Sequence, residues 1–335
     1  MACNAHGKNV PLTEGQEKRR DGRYYTSRSP FSHPQFRAWA ARAGLPGALL
    51  LEPFAGAGSL IGMLQHEGLV GDFRAFDIAP AAAFVEPRDC FRDYPKGSGV
   101  VVTNPPYMAK NSARRRRLPY PDTEFQDLYL YALDLMLAHS PFVAAIVPAA
   151  FGRLELFRDR LTHLIDLPFR NMFEETHHPV CLCLFEPRSE GAVFWSWTVR
   201  LGREARLRAA VPTLPEPAEV TFNSPHGLVG LRAVDSNLGP SIEFVRGEEI
   251  DPDLVKNSSR SLTRLDVKGV DEANLDAVLM AANKRLQRVR QMTADVALAP
   301  FMGVRKDGGF RRRLDFKTAK IILSLALDAV SDKES

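Results

Sequence analysis

The stretch LLLEPFAGAGSL, residues 49–60, carries the strongest fold signal in the sequence. Its apolar half has strand length and ends in Glu52, and a turn containing Gly56 and Gly58 follows at once, before a helical pattern. Glycines at such a turn let backbone amides approach a ligand closely at the carboxyl edge of a sheet. A dinucleotide-binding fingerprint would need a third glycine where this chain has Ile61. The stretch therefore predicts a strand, a ligand-binding turn and a helix.

Apolar runs of strand length alternate with helical patterns through the first half of the chain. The predicted strands are 48–52, 73–77, 99–103, 142–147, 163–167 and 179–186, and the predicted helices are 33–43, 59–66 and one around 128–136. Strands that alternate with helices favour a parallel sheet covered on both faces. We therefore predict an α/β fold for this half.

The pattern changes after Pro187, where segments become short, alternating and separated by Pro and Gly. Two helical patterns follow, around 275–289 and 317–330. The first 22 residues are polar and are expected to be flexible. The sequence thus predicts a flexible stretch 1–22, an α/β domain 23–187 and a smaller α+β region 188–335.

Composition is that of an ordinary globular protein, with 45% hydrophobic and 25% charged residues among 335. No apolar run approaches the roughly 20 residues that cross a bilayer, and the N-terminal stretch lacks a secretory signal, so a cytoplasmic protein without membrane contact is expected. The eight histidines show no ligand spacing, and no metal is predicted. Four cysteines, expected to be reduced, are Cys3, Cys90, Cys181 and Cys183.

Two further elements follow the glycine turn in chain order. Asp77 ends the second predicted strand, where an acid accepts hydrogen bonds from two ribose hydroxyls or caps the next helix. The third strand runs into Asn104, Pro105, Pro106 and Tyr107. The prolines remove two amide donors and stiffen the turn, which leaves the Asn104 side-chain oxygen and the Pro105 carbonyl as acceptors. A planar amino group donates to both, and Tyr107 offers a flat face for stacking.

The order E-P-F-A-G-A-G, then an acid, then N-P-P-Y resembles the gamma arrangement of adenine-N6 DNA methyltransferases over roughly residues 24–186. The resemblance implies a Rossmann-like fold with a mostly parallel seven-stranded sheet, S-adenosylmethionine as cofactor and double-stranded DNA as partner. It makes 23–187 the catalytic domain and 188–335 a DNA-recognition region. The expected reaction is direct methyl transfer to an adenine swung out of the duplex.

The resemblance also assigns site residues. The implied cofactor contacts are Tyr25, Thr26, Glu52, Phe54, Gly56, Gly58, Asp77, Ile78, Asp89, Cys90 and Asn104. The implied catalytic turn is Asn104, Pro105, Pro106 and Tyr107, with Tyr107 and Phe173 against the target base. In the family a proline follows the upstream Y-Y-T, where this chain has Ser27. Asp93 competes with Asp89 for the adenine contact.

Basic clusters suit a phosphate backbone and equally suit a solvated face. An unbroken run of four arginines follows the catalytic turn, where a loop facing the duplex is expected, and we assign all four to DNA phosphates. The run consists of Arg114, Arg115, Arg116 and Arg117. Further clusters are Lys284, Arg285, Arg288 and Arg290 on one helix, and Arg311 to Arg313. Either could grip DNA from the second region.

Rival functions remain open at this level. N-P-P-Y also serves enzymes that methylate RNA adenine or guanine amino groups or protein glutamine, and a catalytically silent DNA-recognition subunit is a further alternative. The glutamine enzymes differ at the glycine turn, and a silent copy would not need the Asn104 acceptor. The absence of a Pro-Cys motif argues against a cytosine-C5 enzyme. A restriction endonuclease partner, the recognition sequence and the oligomeric state are left open.

Overall fold

The computed structural model describes residues 2–3, 9–10, 29–97, 99–167, 179–251 and 259–334. The chain divides into two compact units. The first unit comprises Met1–Phe151 and Glu155–Ala192, and the second comprises Gly152–Leu154 and Val193–Ser335. Sequence patterns place the boundary after residue 187, slightly ahead of this division.

The strands and helices predicted for the first unit are all present, and the structure adds two short strands in the stretch 1–22 that was expected to be flexible, a strand at Glu86–Pro87 and a helix at Lys110–Arg116. Its strands are β1 (Ala2–Cys3), β2 (Asn9–Val10), β3 (Leu50–Glu52), β4 (Phe73–Asp77), β5 (Glu86–Pro87), β6 (Val100–Thr103), β7 (Phe142–Pro148), β8 (Leu161–Leu167) and β9 (Val180–Phe185). Its helices are α1 (Pro34–Arg42), α2 (Ser59–His66), α3 (Lys110–Arg116) and α4 (Leu128–His139).

Seven of these strands lie in the order β8-β9-β7-β6-β3-β4-β5 in a sheet that has nine strands among the described residues, two more than predicted. The strands from β7 to β5 are parallel, and β9 runs antiparallel to both β7 and β8. β6 and β9 are buried at every position, as strands covered on both faces are. The predicted α/β class with a mostly parallel sheet is confirmed.

The strand order determines which loops meet at the carboxyl edge of the sheet. β3 lies between β4 and β6, with Leu50 paired to Phe73 on one side and to Val100 on the other. Because the three strands are parallel, Glu52 at the end of β3, Asp77 at the end of β4 and Asn104 after β6 come to the same edge.

Helix α1 is held to the unit by an aromatic side chain. The helix begins after His33, whose Nδ1 accepts a hydrogen bond from the Gln35 amide at 3.1 Å. Trp39 is fully buried, and its indole Nε1 donates to the Phe185 carbonyl at 3.0 Å. Burial of one such aromatic side chain contributes about 2–3 kcal/mol, and the hydrogen bond satisfies its polar edge.

The cysteines with described side chains are free and buried: Cys90, Cys181 and Cys183. The Sγ atoms of Cys181 and Cys183 lie 3.7 Å apart on one face of β9, and burial raises the pKa of the Cys181 thiol well above its ordinary value. They are core residues, as their apolar context indicates. Cys3 lies outside the described side chains.

The second unit is the smaller α+β region that the sequence predicts. Its strands are β10 (Val193–Ser196), β11 (Val199–Arg203), β12 (Val220–Phe222), β13 (Val229–Arg232), β14 (Glu243–Arg246), β15 (Leu262–Val267), β16 (Ala299–Val304) and β17 (Phe310–Arg313). Its helices are α5 (Glu204–Ala210), α6 (Leu275–Thr293) and α7 (Phe316–Glu334). β12-β15-β13-β14 form an antiparallel sheet, and β16 and β17 form a separate hairpin.

The core of this unit lies between the four-stranded sheet and its helices. Leu231 and Leu265 are fully buried on the sheet, and Val278 of α6 and Leu323 of α7 are fully buried in the same cluster. Among the described residues, no helix is both long and apolar enough to span a membrane.

Candidate functional site

A cavity of about 840 Å³ opens at the carboxyl edge of the first unit's sheet. Its walls come from the turn after β3, from the segment that follows β4 and from the segment that follows β6. The sequence-predicted residues that line it are Glu52, Phe54, Gly56, Asp77, Ile78, Asp89, Asn104 and Pro106. Residues that are up to 54 positions apart, from Glu52 to Pro106, thus share one space.

Other predicted residues take different places. Gly58 precedes α2 with a φ of 75°, and a Cβ there would lie 2.2 Å from the Phe84 ring, so this turn excludes a side chain. Cys90 and Pro105 are buried beside the cavity without lining it. Burial raises the pKa of the Cys90 thiol to about 12. Tyr25, Thr26 and Phe173 lie outside the described residues.

Glu52 is an unusual carboxyl group for a cavity wall. It is 1% exposed, and its Oε2 has no hydrogen-bond partner among the residues that the structure describes. Burial, and secondly the charge of Asp77, raise the pKa of Glu52 well above its ordinary value of 4.5. A cationic group in the cavity would find in Glu52 an acceptor that the protein itself leaves unused.

Asp77 holds the glycine turn against the end of β4. Its Oδ2 accepts a hydrogen bond from the Gly56 amide at 2.9 Å, and its Oδ1 accepts one from the Ala79 amide at 2.8 Å. The Asp77 side chain also lines the cavity, where a ligand would meet it. The local capping role and the ligand role that the sequence suggested are therefore compatible.

The structure separates the two candidate acids after β5. Asp89 lines the cavity, and its Oδ1 accepts a hydrogen bond from the Phe91 amide at 3.0 Å. The side chain of Asp93 is 76% exposed and forms an ion pair with Arg88 at 3.6 Å. The geometry favours Asp89 for a contact inside the cavity.

Asn104 and Tyr107 interact directly at the end of β6. The Tyr107 hydroxyl lies 2.5 Å from Asn104 Oδ1 and 2.8 Å from the Ile146 carbonyl oxygen. A hydroxyl carries one proton, so it donates to one of these acceptors at a time. The Tyr107 ring packs edge-on against Tyr129 at 6.3 Å and is not part of the cavity wall. Base stacking by Tyr107 stays a prediction.

Sequence reasoning missed one part of the cavity wall. This part is formed by the segment Leu118 to Asp122, which returns to the cavity after α3. Lys110 Nζ donates to the Thr123 carbonyl at 2.9 Å, and its ammonium lies 5.8 Å from the Tyr120 ring centroid. Prolines in this segment are a turn signal, but no local pattern shows that the turn folds back over the cavity.

An aromatic row between β3 and α4 was also missed. Phe91 packs on Phe54 at 5.1 Å and is stacked on Tyr131 at 5.5 Å, and all three line the cavity. Arg88 and Arg92 contribute the cationic part of the lining. The three rings come from separate elements, so no sequence spacing could have revealed the row.

The loop predicted for the run of four arginines is wrong. The run consists of Arg114, Arg115, Arg116 and Arg117. Arg114, Arg115 and Arg116 belong to helix α3, and Arg117 ends the helix in the left-handed conformation with a φ of 55°. Within the helix, Arg115 Nη2 donates to Ser112 Oγ at 3.4 Å, one turn earlier.

Helix α3 forms because its inner face is anchored in the unit. Ala113 is fully buried and packs against Met108 and Leu128. The four arginines occupy the exposed side of the same segment. They therefore remain accessible to an anionic partner, and their assignment to DNA phosphates stays a prediction.

Among the described residues, no group of three or more His, Cys, Asp or Glu side chains is arranged to hold a metal ion.

No family model and no curated protein sequence matches the chain. Solved structures similar to part of it include the methyltransferase subunit of a type I restriction-modification system from Streptococcus thermophilus, at 17% identity over 51% of this chain and 46% of that one, with a TM-score of 0.36. The type IIG restriction endonuclease BpuSI is 18% identical over 47% of this chain and 25% of its own, with a TM-score of 0.35. A candidate RNA methyltransferase from Pyrococcus horikoshii is 15% identical over 50% and 88% of the two chains, with a TM-score of 0.33.

The chain spans about half the length of the Streptococcus thermophilus subunit that it matches.

Proposed function

We propose that this chain is an S-adenosylmethionine-dependent methyltransferase that modifies the N6 amino group of adenine in double-stranded DNA. The observation that carries the proposal is that Asn104 and Pro106 line the same cavity as Glu52, the Gly56 turn and Asp77. Two acids proposed to bind the cofactor, Glu52 and Asp77, and the proposed acceptor for the target amino group, Asn104, thereby line one cavity.

The cavity fits the cofactor by the chemistry of its donor set. S-adenosylmethionine supplies a methyl group bound to a positively charged sulfur. The unpartnered Oε2 of Glu52 suits the cationic methionine end, and the Asp77 carboxylate, which lines the cavity at the end of β4, suits the ribose hydroxyls. Ile78 and Phe54 offer apolar faces to the adenine ring, with Asp89 as acceptor for its amino group.

Asn104 is the proposed catalytic residue. The Asn104 side-chain oxygen and the Pro105 carbonyl oxygen would each accept a hydrogen bond from one N–H of the target amino group. These bonds would turn the nitrogen lone pair out of conjugation with the ring. S-adenosylmethionine held by Glu52 and Asp77 would supply the methyl group; its sulfur would leave as a neutral thioether, and the amino nitrogen would give up one proton. Most of the acceleration would then come from positioning and from electrostatic complementarity in the cavity. Tyr107 and Phe173 are the proposed partners of the base ring.

Adenine in DNA is the finer part of the proposal. It rests on the resemblance of the motif order to the adenine-N6 enzymes and on the exposed arginines 114–117, which directly precede the cavity-lining segment. Lysine and arginine side chains that neutralise phosphates supply much of the affinity for duplex DNA. Unstacking the target base would cost a few kcal/mol, which these contacts offset.

The test is methyl transfer from labelled cofactor to DNA from a host that lacks adenine methylation, followed by sequencing of the modified bases. Asn104→Ala should abolish transfer while cofactor binding persists. Asn111→Ala is the matched control, because Asn111 is exposed on α3 outside the cavity lining. Substantial transfer by Asn104→Ala would refute the assigned role. Unmodified DNA with labelled RNA would move the substrate to RNA.

A further inference from the structure

Helix α6 and the β16–β17 hairpin carry two sets of polar side chains, an inward set and an outward set. The inward set surrounds Asp235, whose side chain is fully buried. Arg290 Nη1 of α6 lies 2.9 Å from Asp235 Oδ1, and Arg305 Nη1, in the turn of the β16–β17 hairpin, lies 2.9 Å from Asp235 Oδ2. The backbone amide of Arg312 also donates to Asp235 Oδ2 at 3.1 Å. We call these four residues the Asp235 network.

The Asp235 network changes the interpretation of two basic clusters. Arg312 is 5% exposed, and the side chain of Arg311 donates to the Asp235 carbonyl while its guanidinium lies 4.9 Å from the Phe301 ring centroid. Arg290 is committed to Asp235 and to Asp295. The prediction that these clusters form one continuous basic surface for DNA is therefore wrong, because Arg290, Arg311 and Arg312 interact with the buried Asp235.

The outward set lies on one face of α6. It consists of Lys284, Gln287, Arg288 and Gln291, and all four are exposed. Their spacing of three and four residues places them on a single stripe about 10 Å long. The opposite side of the helix buries Leu286 and Val289. We call the exposed stripe the α6 face.

The α6 face is electropositive because the neighbouring acids are already paired. No Asp or Glu occurs between Asp276 and Asp295 in the sequence. Asp276 is bound by Arg246 at 2.8 Å, and Asp295 is bound by Arg290 at 2.7 Å. Among the residues that the structure describes, Lys284 and Arg288 have no ion-pair partner.

We propose that the α6 face binds double-stranded DNA in the major groove, an inference that rests on the proposed DNA substrate. An α-helix about 10–12 Å across fits the roughly 12 Å wide major groove of B-form DNA. Lys284 and Arg288 contact phosphates, and Gln287 and Gln291 carry the amide group that pairs with the adenine edge. The deep, narrow major groove of A-form RNA does not admit such a helix, so the face fits DNA and not an RNA duplex.

The α6 face can be tested by salt dependence of binding. The full-length protein is titrated with a labelled DNA duplex at several salt concentrations, with fluorescence anisotropy as readout. The double substitution Lys284→Gln and Arg288→Gln should lower the slope of log affinity against log salt by about 2, since each lost phosphate contact contributes about 0.9. The control is Arg200→Gln with Arg206→Gln, which removes the same charge from exposed positions on other elements of the unit.

The glutamines make a second arm with a different readout. Gln287→Ala with Gln291→Ala should leave the salt slope unchanged. It should reduce the difference in affinity between a duplex that contains the sequence modified in the methyl-transfer test and a duplex that lacks it.

Three outcomes would overturn the proposal: an unchanged slope in the Lys284 and Arg288 variant, an equal loss in the control, or an equal loss on an A-form RNA duplex. If one of these outcomes occurs while the wild-type protein binds cofactor and transfers methyl to DNA, the proposed function stands and the role of the α6 face in DNA binding is refuted. A wild-type protein that binds cofactor and no duplex would lose both the DNA substrate and this surface.

Discussion

The pH dependence of stability should reveal Glu52 as a buried, protonated acid. In the unfolded chain Glu52 loses its proton near the ordinary pKa of 4.5, whereas burial and Asp77 raise its pKa well above that in the folded protein. Above pH 4.5 the folded state therefore holds a proton that the unfolded state has released. Stability falls as pH rises, and the decline ends above the raised folded-state pKa.

The size of the effect follows from linkage. One extra bound proton in the folded state lowers the unfolding free energy by about 1.4 kcal/mol for each pH unit in that window. Glu52→Gln keeps the size of the side chain and removes the titration. The unfolding free energy of the Gln variant minus that of the wild type should therefore rise by about 1.4 kcal/mol for each pH unit above pH 4.5. The rise should level off above the folded-state pKa of Glu52.

Urea unfolding at a series of pH values measures this difference. Trp39 is one of three tryptophans and lies in the first unit, so a Trp195→Phe, Trp197→Phe background makes its fluorescence a reporter of that unit. Glu86→Gln, which removes an exposed acid on β5, is the matched control for the loss of one carboxyl group. A difference between wild type and Glu52→Gln that does not change with pH would refute the buried-acid argument. Saturating cofactor should flatten the wild-type slope, since a cation beside Glu52 favours its charged form.

Three further predictions follow from the same structure. Asp77→Ala should weaken cofactor binding by about 1–3 kcal/mol, because the Gly56 amide loses its acceptor and the ligand loses its own; a calorimetric titration identical to wild type would contradict this. Replacing Arg114, Arg115, Arg116 and Arg117 with Gln should lower affinity for all DNA sequences alike and flatten its salt dependence, whereas a slope equal to wild type would return the run to a solvated face. Asp235→Ala should destabilise the second unit by about 3–5 kcal/mol, because two buried arginines lose their carboxylate; an unchanged denaturation midpoint of Trp195 and Trp197 fluorescence would disprove it.

Local sequence determined most of the first unit. Runs such as VVVT at β6 and VCLCLF at β9 are apolar or nearly so at every position, which is the pattern of strands covered on both faces, and the structure buries each residue. The glycine turn was equally predictable from the sequence, since Gly58 adopts a positive φ that other residues adopt only at an energetic cost. Boundaries differed from the prediction by a few residues, because helix and strand ends are set by capping and pairing partners.

Local patterns failed where a tertiary contact outweighs them. The arginines at 114–116 have the pattern of a polar loop, but burial of Ala113 against Leu128 makes the segment a helix. Arg312 has the pattern of a surface run, but Asp235 lies 77 residues away in sequence and binds its backbone amide. The sign and spacing of charges in one segment do not tell which acid will approach from another.

The candidate site also depends partly on local sequence and partly on tertiary structure. The residue types at Glu52, Gly56, Asp77 and Asn104, and their order along the chain, are properties of the sequence, and they alone suggested a methyl-transfer chemistry. Their convergence was decided by the strand order, because β3 lies between β4 and β6 and brings three loop origins to one edge. Tertiary structure alone placed the segment Leu118 to Asp122 in the same cavity wall, buried Glu52 near Asp77 and brought the Tyr107 hydroxyl to the Ile146 carbonyl. Such contacts join segments that are distant in sequence, and their free energy depends on burial and distance, which no local pattern encodes.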